Sequence, residues 1–556
     1  MSRQPYLSAV NERVIVFDGA FGTFVQDLDL GPDDFGGASL EGCNEYLCIT
    51  RPDVIRQMHS AFLDVGVDVL ETASFGSFST VLSEYNISDK AYELNVEAAR
   101  LARETANDYE SSGKARYVAG SIGPGTKLPS LGHIRFTELR DAYVEQARGL
   151  IVGGADLFLI ETCMDLLQIK AAMIACRRAM VAEGREIPIQ VQVTMETTGR
   201  MLVGSEIGAA LTAISAMKPD VFGINCATGP AEMQEHLRYL SQNASMPISV
   251  LPNAGLPSIV DGRTHYDLTP AELAKFHHHH VHDLGIGIVG GCCGTTPAHL
   301  KAVVDAVSGM AAPKRTPIDE PSVASIYSSV PMVQDKSFLI IGERTNTNGS
   351  KAFRDAMIAG EWDNCSKIAT EQIREGAHVL DVCVDYVGRD GAIDMDEIAS
   401  RFATQASVPL VLDSTEPQVL EAGLMHIGGR AILNSANLED GEEVGCRMDR
   451  VFSLAREYGC AVICLLIDEK GQARDVEWKL EIAHRIHRIA VDRYGLSASD
   501  LIFDALTFPL STGDDDLRLD AKHTIDAIKR IKDEIPGCFT TLGVSNVSFG
   551  LKPSSR

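Results

Sequence analysis

The sequence has no apolar run near the roughly 18 residues that are needed to cross a bilayer, which argues against a membrane-spanning protein. Its first residues, MSRQPYLSAVNERV, have no long apolar core and no cleavage-site pattern, which argues against a secretory signal. Basic residues are also scarce: 50 Lys and Arg stand against 76 Asp and Glu, a formal net charge of −26. Nucleic-acid-binding proteins normally present a basic surface, so that class is disfavoured.

Cysteine is present in an odd number, 13 in a chain of 556 residues. Without a secretory signal, this count favours free thiols or a metal site in a reducing cytoplasm over a disulfide framework. Apolar residues make up 45% and charged residues 23%, which is ordinary for a globular protein. The length predicts roughly two to four domains. We therefore expect a globular, cytoplasmic protein with no membrane and no nucleic-acid partner.

Residues 1–310 alternate short apolar runs with amphipathic stretches of helical periodicity. Eight of the apolar runs are continuous rather than alternating, which is typical of parallel strands that are buried on both faces. Eight strand–helix units in about 300 residues predict a (β/α)8 TIM-type barrel. A doubly wound open sheet is the alternative.

Residues 311–336 contain four prolines, at positions 313, 317, 321 and 331, and little periodicity, so they are predicted to be a linker. The strand–helix alternation then restarts and gives seven predicted strands in residues 337–556. A closed barrel needs an eighth strand. We therefore expect an α/β protein with two tandem TIM-type barrels, the second cut short before its last strand, and a chain that is part of a longer protein.

Three cysteines fall at predicted strand ends of the first domain. Cys226 ends strand six, and Cys292 and Cys293 end strand eight within GGCCG. Chemistry in a barrel lies at the carboxyl ends of the strands, and one strand separates these two, so the three sulfurs could converge. Three thiolates with an open fourth position suit a catalytic zinc ion. The alternative is that these are ordinary buried thiols.

Polar side chains also end the predicted strands of the second domain. Carboxylates and amides dominate, and such a rim suits the donor- and acceptor-rich edge of a neutral heterocycle. Any one of these residues alone is more typical of a helix cap. The eight residues are Glu343, Asn346, Asp381, Asp413, Asn434, Asp468, Asp504 and Asn546.

The motifs DGAFGT, GINCATGP and GGCCGTTPAH resemble those of the homocysteine S-methyltransferase family, and the whole first domain is similar to the amino-terminal half of the cobalamin-dependent methionine synthases. The resemblance implies that Cys226, Cys292 and Cys293 bind zinc, and that Asn253 holds the fourth position until the substrate displaces it. It also implies that four residues hold the amino-acid end of homocysteine: Asp18, Gly19, Ser74 and Glu161.

The motifs IGERTN, LLIDEKGQA and GVSNVSFG resemble those of the pterin-binding family. The resemblance implies a methyltetrahydrofolate site in which Asn546 contacts the ring nitrogen that bears the methyl group, so that Asn546 and Asp504 are the predicted catalytic residues. Cys383 stands where many relatives have asparagine, and the role of this position is open. The resemblance further implies that four carboxylates and amides hydrogen-bond the pterin: Glu343, Asp413, Asn434 and Asp504.

The cobalamin-binding signature D-x-H-x-x-G is not found in this sequence; the nearest match, at residues 280–285, has histidine where aspartate is required. Cobalamin is therefore expected on a C-terminal domain outside this chain. The resemblances together imply a methyltransferase that moves a methyl group from 5-methyltetrahydrofolate, through cobalamin, to zinc-activated homocysteine, giving methionine and tetrahydrofolate. The alternatives are a cobalamin-independent, betaine-type homocysteine methyltransferase and a non-catalytic module that binds zinc and folate.

One motif has no place in this scheme. The run His277–His280, followed by His282, lies in a predicted helix before strand eight. It favours an exposed polar turn over a weak metal site.

Overall fold

The computed structural model describes residues 3–110, 114–260, 263–311, 314–512, 518–552 and 554. The chain divides into two compact units, Met1–Glu320 and Pro321–Arg556. Each is built on a parallel sheet whose strands alternate with helices, which confirms the predicted α/β class with two tandem TIM-type sheets. Within the described ranges, no helix has both the length and the apolarity that a membrane span requires.

The first unit contains a closed parallel barrel. Eight strands are ordered β1-β10-β7-β6-β5-β4-β3-β2, and a parallel bridge between Phe17 and Val69 joins the two ends of this order. The remaining two strands, β8 and β9, form an antiparallel hairpin that the sequence did not predict. Among the described residues, the strands are β1 (Ile15–Val16), β2 (Val69–Glu71), β3 (Tyr117–Ile122), β4 (Leu157–Cys163), β5 (Ile189–Val193), β6 (Val221–Asn225), β7 (Ile248–Leu251), β8 (Pro257–Val260), β9 (Arg263–Tyr266) and β10 (Ile288–Val289).

The helices of the first unit include one that lies at the amino ends of the strands. Tyr6 and Val10 of this helix pack against Val69, Tyr117 and Leu157, the first residues of three strands. This packing leaves the carboxyl ends of the strands for chemistry. The helices are α1 (Tyr6–Glu12), α2 (Phe21–Gln26), α3 (Leu47–Thr50), α4 (Pro52–Asp64), α5 (Ser79–Leu82), α6 (Ala91–Tyr109), α7 (Phe136–Gly153), α8 (Leu166–Glu183), α9 (Ile207–Ser215), α10 (Gln234–Asn243), α11 (Pro270–Leu284) and α12 (Pro297–Val307).

The histidine run lies in the predicted helix, α11, but the expectation of an exposed polar turn is wrong. His277 and His280 are both fully buried, because residues three apart share one helix face and this face packs inward. His277 Nε2 lies 2.8 Å from the Gly290 carbonyl oxygen, and His280 Nε2 lies 2.9 Å from Gln234 Nε2. Two histidines of the run are therefore core residues.

The second unit contains the seven parallel strands that the sequence predicts, in the order β13-β14-β15-β16-β17-β20-β21. Two antiparallel hairpins, β11–β12 and β18–β19, stand outside this sheet. The strands are β11 (Ser322–Ala324), β12 (Ser329–Pro331), β13 (Ile341–Gly342), β14 (Val379–Cys383), β15 (Leu410–Asp413), β16 (Ile432–Ala436), β17 (Ala461–Leu465), β18 (Ile467–Asp468), β19 (Gly471–Gln472), β20 (Leu501–Asp504) and β21 (Phe539–Thr541). The helices are α13 (Lys351–Ile358), α14 (Trp362–Arg374), α15 (Gly391–Gln405), α16 (Pro417–Leu424), α17 (Arg447–Tyr458), α18 (Val476–Tyr494) and α19 (Asp520–Glu534).

The hairpin β11–β12 falls inside the segment 311–336, for which we predicted a linker. Val323 and Met332 are buried against Val379 and Val411 of the parallel sheet. Arg430 also donates a hydrogen bond of 2.8 Å to the Ser322 carbonyl oxygen. Residues 322–331 therefore form part of the core of the second unit.

Candidate functional sites

Three thiols meet at the carboxyl end of the first barrel. Cys226 follows β6 directly, and Cys292 and Cys293 follow β10. Their Sγ atoms all lie within 4.8 Å of one another, and the Cys226 and Cys293 sulfurs are 3.9 Å apart. These three cysteines are partly exposed, whereas the other ten are buried. The thiol cluster, as we call these three residues, is thus the set of cysteines that a ligand can reach.

The backbone around the thiol cluster is held in unusual conformations. Cys226 and the following Ala227 both have left-handed φ angles, 60° and 58°, which are uncommon for residues other than glycine and concentrate at functional sites. The Cys292 N–H donates to the Pro252 carbonyl oxygen at 2.8 Å, which ties the cysteine loop to the end of β7. At Gly294 an added Cβ would lie 2.3 Å from Cγ of Tyr266, so the Tyr266 ring of hairpin β8–β9 packs directly on this loop.

The donor set of the thiol cluster fits a zinc ion. Hydrogen bonds from Cys226 and Cys292 lower the pKa of Cys293 to about 3, whereas hydrogen bonding to Cys226 and to Cys293 raises the pKa of Cys292 well above its usual range. One sulfur thus ionises readily, and a cation is needed for the other two. Asn253 is 3% exposed, and its Oδ1 has no hydrogen-bond partner among the described residues. Three sulfurs and one such oxygen match tetrahedral zinc coordination.

Three carboxylates lie beside the thiol cluster. Both oxygens of Asp18 accept hydrogen bonds of 3.1 Å from the Glu71 N–H. Glu161 accepts from Ser121 Oγ at 2.6 Å and from Asn225 Nδ2 at 3.0 Å. Burial raises the pKa of Asp18 and of Glu71 well above the usual range and that of Glu161 to about 7. A cationic ligand bound in this pocket would stabilise the ionised forms of these carboxyls, so the pocket suits a ligand with an ammonium group.

Two other residues that were predicted to hold the amino-acid end of homocysteine also lie near the strand ends. Ser74 is fully buried, and its hydroxyl donates to the Ser121 carbonyl oxygen at 2.8 Å. At Gly19 an added Cβ would lie 2.6 Å from Thr295 Oγ1, so a larger residue does not fit there. Both residues shape the pocket beside Asp18 and Glu161.

Sequence reasoning missed three residues of this site. Glu71 ends β2 and has no predicted role, although its charge couples to both Asp18 and Glu161. Asn225 precedes Cys226 and bridges Glu161 to Thr162, whose N–H donates to Asn225 Oδ1 at 2.7 Å. Tyr266 belongs to a hairpin with no sequence signal.

In the second unit, an amide that follows β13 lies between two carboxylates, one on β14 and one at the end of β15. Asn346 Nδ2 donates to Asp381 Oδ2 at 2.7 Å and to Asp413 Oδ2 at 3.1 Å. Burial raises the pKa of Asp381 to about 7 and that of Asp413 to about 6. Asn434 is the neighbour of Asp413 in the next strand, and Glu343 is exposed but close enough to raise the pKa of both carboxyls. Five of the predicted residues thus gather at adjacent strand ends.

The two predicted catalytic residues share one cavity. Asp504, at the end of β20, and Asn546, in the short helical turn Val544–Ser548, line an open cavity of about 340 Å³ together with Phe508 and Phe549. Burial raises the pKa of Asp504 to about 6, so it is ionised above that pH. An acceptor and an amide beside two aromatic rings suit a flat heterocycle.

Two side chains at this end of the sheet are engaged within the chain. Both oxygens of Asp468 accept hydrogen bonds of 2.8 Å, one from the Trp478 indole N–H and one from the Lys470 N–H. Cys383 is buried beside Thr347 and Asn348, which lie within hydrogen-bonding distance of its sulfur. The geometry around Asp468 is therefore that of a structural contact in the turn after β17.

Comparison with known proteins agrees with this division into two sites. The model of the homocysteine S-methyltransferase family matches residues 15–307, and that of the pterin-binding enzymes matches residues 342–556. The methionine synthase of Mycobacterium tuberculosis is 50% identical over 550 residues, and that of Mycobacterium leprae is 50% identical over 555 residues. Each alignment covers 99% of this chain and 46% of the relative, so the chain spans less than half the length of these relatives.

Among solved structures, the homocysteine methyltransferase MmuM from Escherichia coli in its metallated form is 21% identical, with a TM-score of 0.43; it covers 52% of this chain and 96% of its own. The first family model alone matches more than half of the sequence. The chain therefore belongs to the homocysteine S-methyltransferase family.

Proposed function

We propose that this chain carries the homocysteine and folate half-sites of a methionine synthase. In this proposal a methyl group passes from 5-methyltetrahydrofolate to cobalamin and from cobalamin to homocysteine, which gives tetrahydrofolate and methionine. The observation that supports it most is the thiol cluster, three partly exposed sulfurs within 4.8 Å, beside the carboxyl groups of Asp18, Glu71 and Glu161. Cobalamin is proposed to come from a domain outside residues 1–556.

In the first unit, Cys226, Cys292 and Cys293 would hold a zinc ion, with Asn253 Oδ1 in the fourth position before substrate arrives. Bound zinc deprotonates a coordinated thiol, which keeps the homocysteine sulfur nucleophilic. The carboxylates of Glu161 and Asp18 would pair with the homocysteine ammonium group, and Gly19 and Ser74 would shape the pocket around it. This arrangement orients the substrate sulfur toward the thiol cluster.

In the second unit, Asp504 would accept hydrogen bonds from the amidine-like edge of the pterin, and Asn546 would contact the methyl-bearing nitrogen. Asn346, Asp381, Asp413, Asn434 and Glu343 would complete the polar rim. Protonation of the methyl-bearing nitrogen makes tetrahydrofolate a better leaving group. We also propose a cytoplasmic location, because thirteen free cysteines are typical of a reducing compartment.

Two half-reactions test the proposed function. Zinc-replete protein is expected to transfer a methyl group from methyltetrahydrofolate to added cob(I)alamin, and from added methylcobalamin to homocysteine. Each is followed by the change in cobalamin absorbance. Failure of both reactions in folded, zinc-replete protein would contradict the proposal, while betaine-dependent methylation of homocysteine without cobalamin would favour a direct-transfer enzyme.

Replacing Glu161 with glutamine is expected to weaken homocysteine binding about 30-fold at pH 8, because a charge-assisted contact to the ammonium becomes a neutral one. Since burial raises the pKa of Glu161 to about 7, the wild-type carboxyl is itself neutral at lower pH. The difference between the two proteins should therefore shrink toward about pH 6. Calorimetric titration of zinc-loaded protein with homocysteine measures both values. The exposed carboxylate Glu235 of α10 is the matched control, and a pH-independent difference would count against the assignment.

Replacing Asp381 with asparagine is expected to stabilise the second unit by about 2 kcal/mol at pH 8 and to leave its stability unchanged near pH 4. The pKa of Asp381 is raised to about 7 in the folded protein, so its contribution to stability is present below the unfolded pKa and is lost as pH rises through 7. Asparagine mimics the neutral form and avoids this loss.

Urea unfolding followed by tryptophan fluorescence measures this effect in the second unit alone, because the chain has two tryptophans and both, Trp362 and Trp478, lie there. Folate binding should weaken in the same variant. Equal stabilisation at both pH values would show that the gain has another origin.

A further inference from the structure

A buried ammonium group lies beneath the wall of the cavity that contains Asp504 and Asn546. Lys479 of α18 has 0% of its surface exposed. Its Nζ donates to the carbonyl oxygens of Ala505 and Leu506, the latter at 3.0 Å, and to Thr524 Oγ1 at 3.2 Å. A lysine ammonium has three donors, so these contacts use all of them. Lysine is almost never fully buried unless it is paired, and the cost of burying it calls for a reason.

Lys479 and two side chains of α19, Asp520 and Thr524, form what we call the cradle. The Thr524 hydroxyl donates to the Leu506 carbonyl oxygen at 2.8 Å. Asp520 Oδ2 accepts a hydrogen bond of 2.8 Å from the Phe508 N–H. The cradle therefore hydrogen-bonds the backbone at both ends of residues 505–508, the segment that follows β20.

This segment is also the wall of the cavity. Leu506 and Phe508 line it beside Asp504. Leu506 has a left-handed φ of 54°, which is unfavourable for leucine and persists only when surrounding contacts impose it. The Leu506 N–H donates to Asp504 Oδ1 at 2.8 Å, so the same turn fixes the direction of that carboxylate. Contacts to the Leu506 backbone thus fix both the position of the cavity wall and the orientation of the Asp504 carboxylate.

Charge links Lys479 to the site as well. The ammonium faces three carboxylates: Asp475 on its own helix, Asp504 on β20 and Asp520 on α19. Burial raises the pKa of Asp504 to about 6, and the Lys479 charge opposes that rise. Removing the cation should therefore make Asp504 harder to ionise.

We propose that Lys479 is the positioning residue of the folate site: its ammonium holds the wall 505–508 in place and orients the Asp504 carboxylate toward the pterin. The proposal rests on the proposed function of the second unit. Lys479 does not contact the substrate, because its three donors are engaged and it has no exposed surface. It acts through Asp504 and the backbone of Leu506.

The test compares Lys479→Met with Thr524→Val in the full chain. Lys479→Met removes the charge and keeps most of the apolar stem, whereas Thr524→Val removes the hydrogen bonds of the Thr524 hydroxyl and keeps the charge. In methyl transfer from methyltetrahydrofolate to cob(I)alamin, both variants are expected to raise KM, Lys479→Met by about tenfold. Only Lys479→Met should also move the acid limb of the pH–rate profile upward, by about one pH unit.

Tryptophan fluorescence monitors the fold of the second unit, and methyl transfer from methylcobalamin to homocysteine in the first unit is an internal control. A folded Lys479→Met with the wild-type KM and acid limb overturns the proposal. If Lys479→Met does not fold, Thr524→Val decides: a raised KM supports the proposal, and an unchanged one overturns it. Wild-type protein without folate turnover contradicts the proposed function instead, and the positioning role is then judged by whether Lys479→Met weakens direct binding of methyltetrahydrofolate.

Discussion

Replacing Cys292 with alanine is expected to abolish zinc binding and to slow methyl transfer from methylcobalamin to homocysteine by at least about a thousandfold. The variant leaves two sulfurs where tetrahedral zinc in an open site needs three protein ligands. Without the metal, the homocysteine thiol must ionise by itself inside a pocket that already holds three carboxylates and the remaining thiols. Zinc content by atomic absorption and the rate of the homocysteine half-reaction measure the two effects.

The chain offers controls for the loss of a cysteine, for the folding of the second unit and for the loss of the metal. Cys176 of α8 is fully buried and remote from the thiol cluster in sequence, so Cys176→Ala should retain zinc and the homocysteine half-reaction. The folate half-reaction belongs to the second unit and should be unchanged in Cys292→Ala. A chelator should reproduce the Cys292→Ala result in the wild type, with recovery on adding zinc. Full zinc content in Cys292→Ala would disprove the three-sulfur site.

The barrels were predictable because parallel strands that are buried on both faces leave continuous apolar runs, and such runs recur at regular intervals in both halves of the chain. The hairpins β8–β9 and β11–β12 were not predictable, because strands of three or four residues are too short to leave a periodic signal. The exposed position predicted for the histidine run was wrong for a related reason. Composition indicates a polar segment, but which face of α11 packs inward is decided by the rest of the barrel.

The site residues divide in the same way. Cys292 and Cys293 were visible because adjacent cysteines between glycines at a strand end are rare, whatever the fold. Glu71 and Tyr266 belong to the site only because they contact residues far away in the chain, and no local sequence pattern indicates them. Lys479 is the extreme case, since its helix is ordinary in sequence and its burial arises from the turn after β20.

Replacing Asn546 with alanine is expected to lower kcat of methyl transfer from methyltetrahydrofolate to cob(I)alamin about 100-fold, with a much smaller change in KM. The effect on kcat depends on the step of the reaction in which this contact is strongest. The methyl-bearing nitrogen is neutral in bound substrate and gains a proton as the methyl group leaves, so a side-chain oxygen next to it stabilises the transition state more than the ground state. Steady-state kinetics with added cob(I)alamin separate the two constants.

Asp504→Asn is the matched comparison, because Asp504 lines the same cavity. In the proposed function it would face the edge of the heterocycle that stays bound throughout. Its loss should act mainly on KM, since a contact of equal strength in ground and transition states lowers KM without raising kcat. Asn546→Asp keeps an oxygen at the same position and should recover part of the rate. If Asn546→Ala changes only KM, the amide serves binding alone and the protonation step relies on other groups.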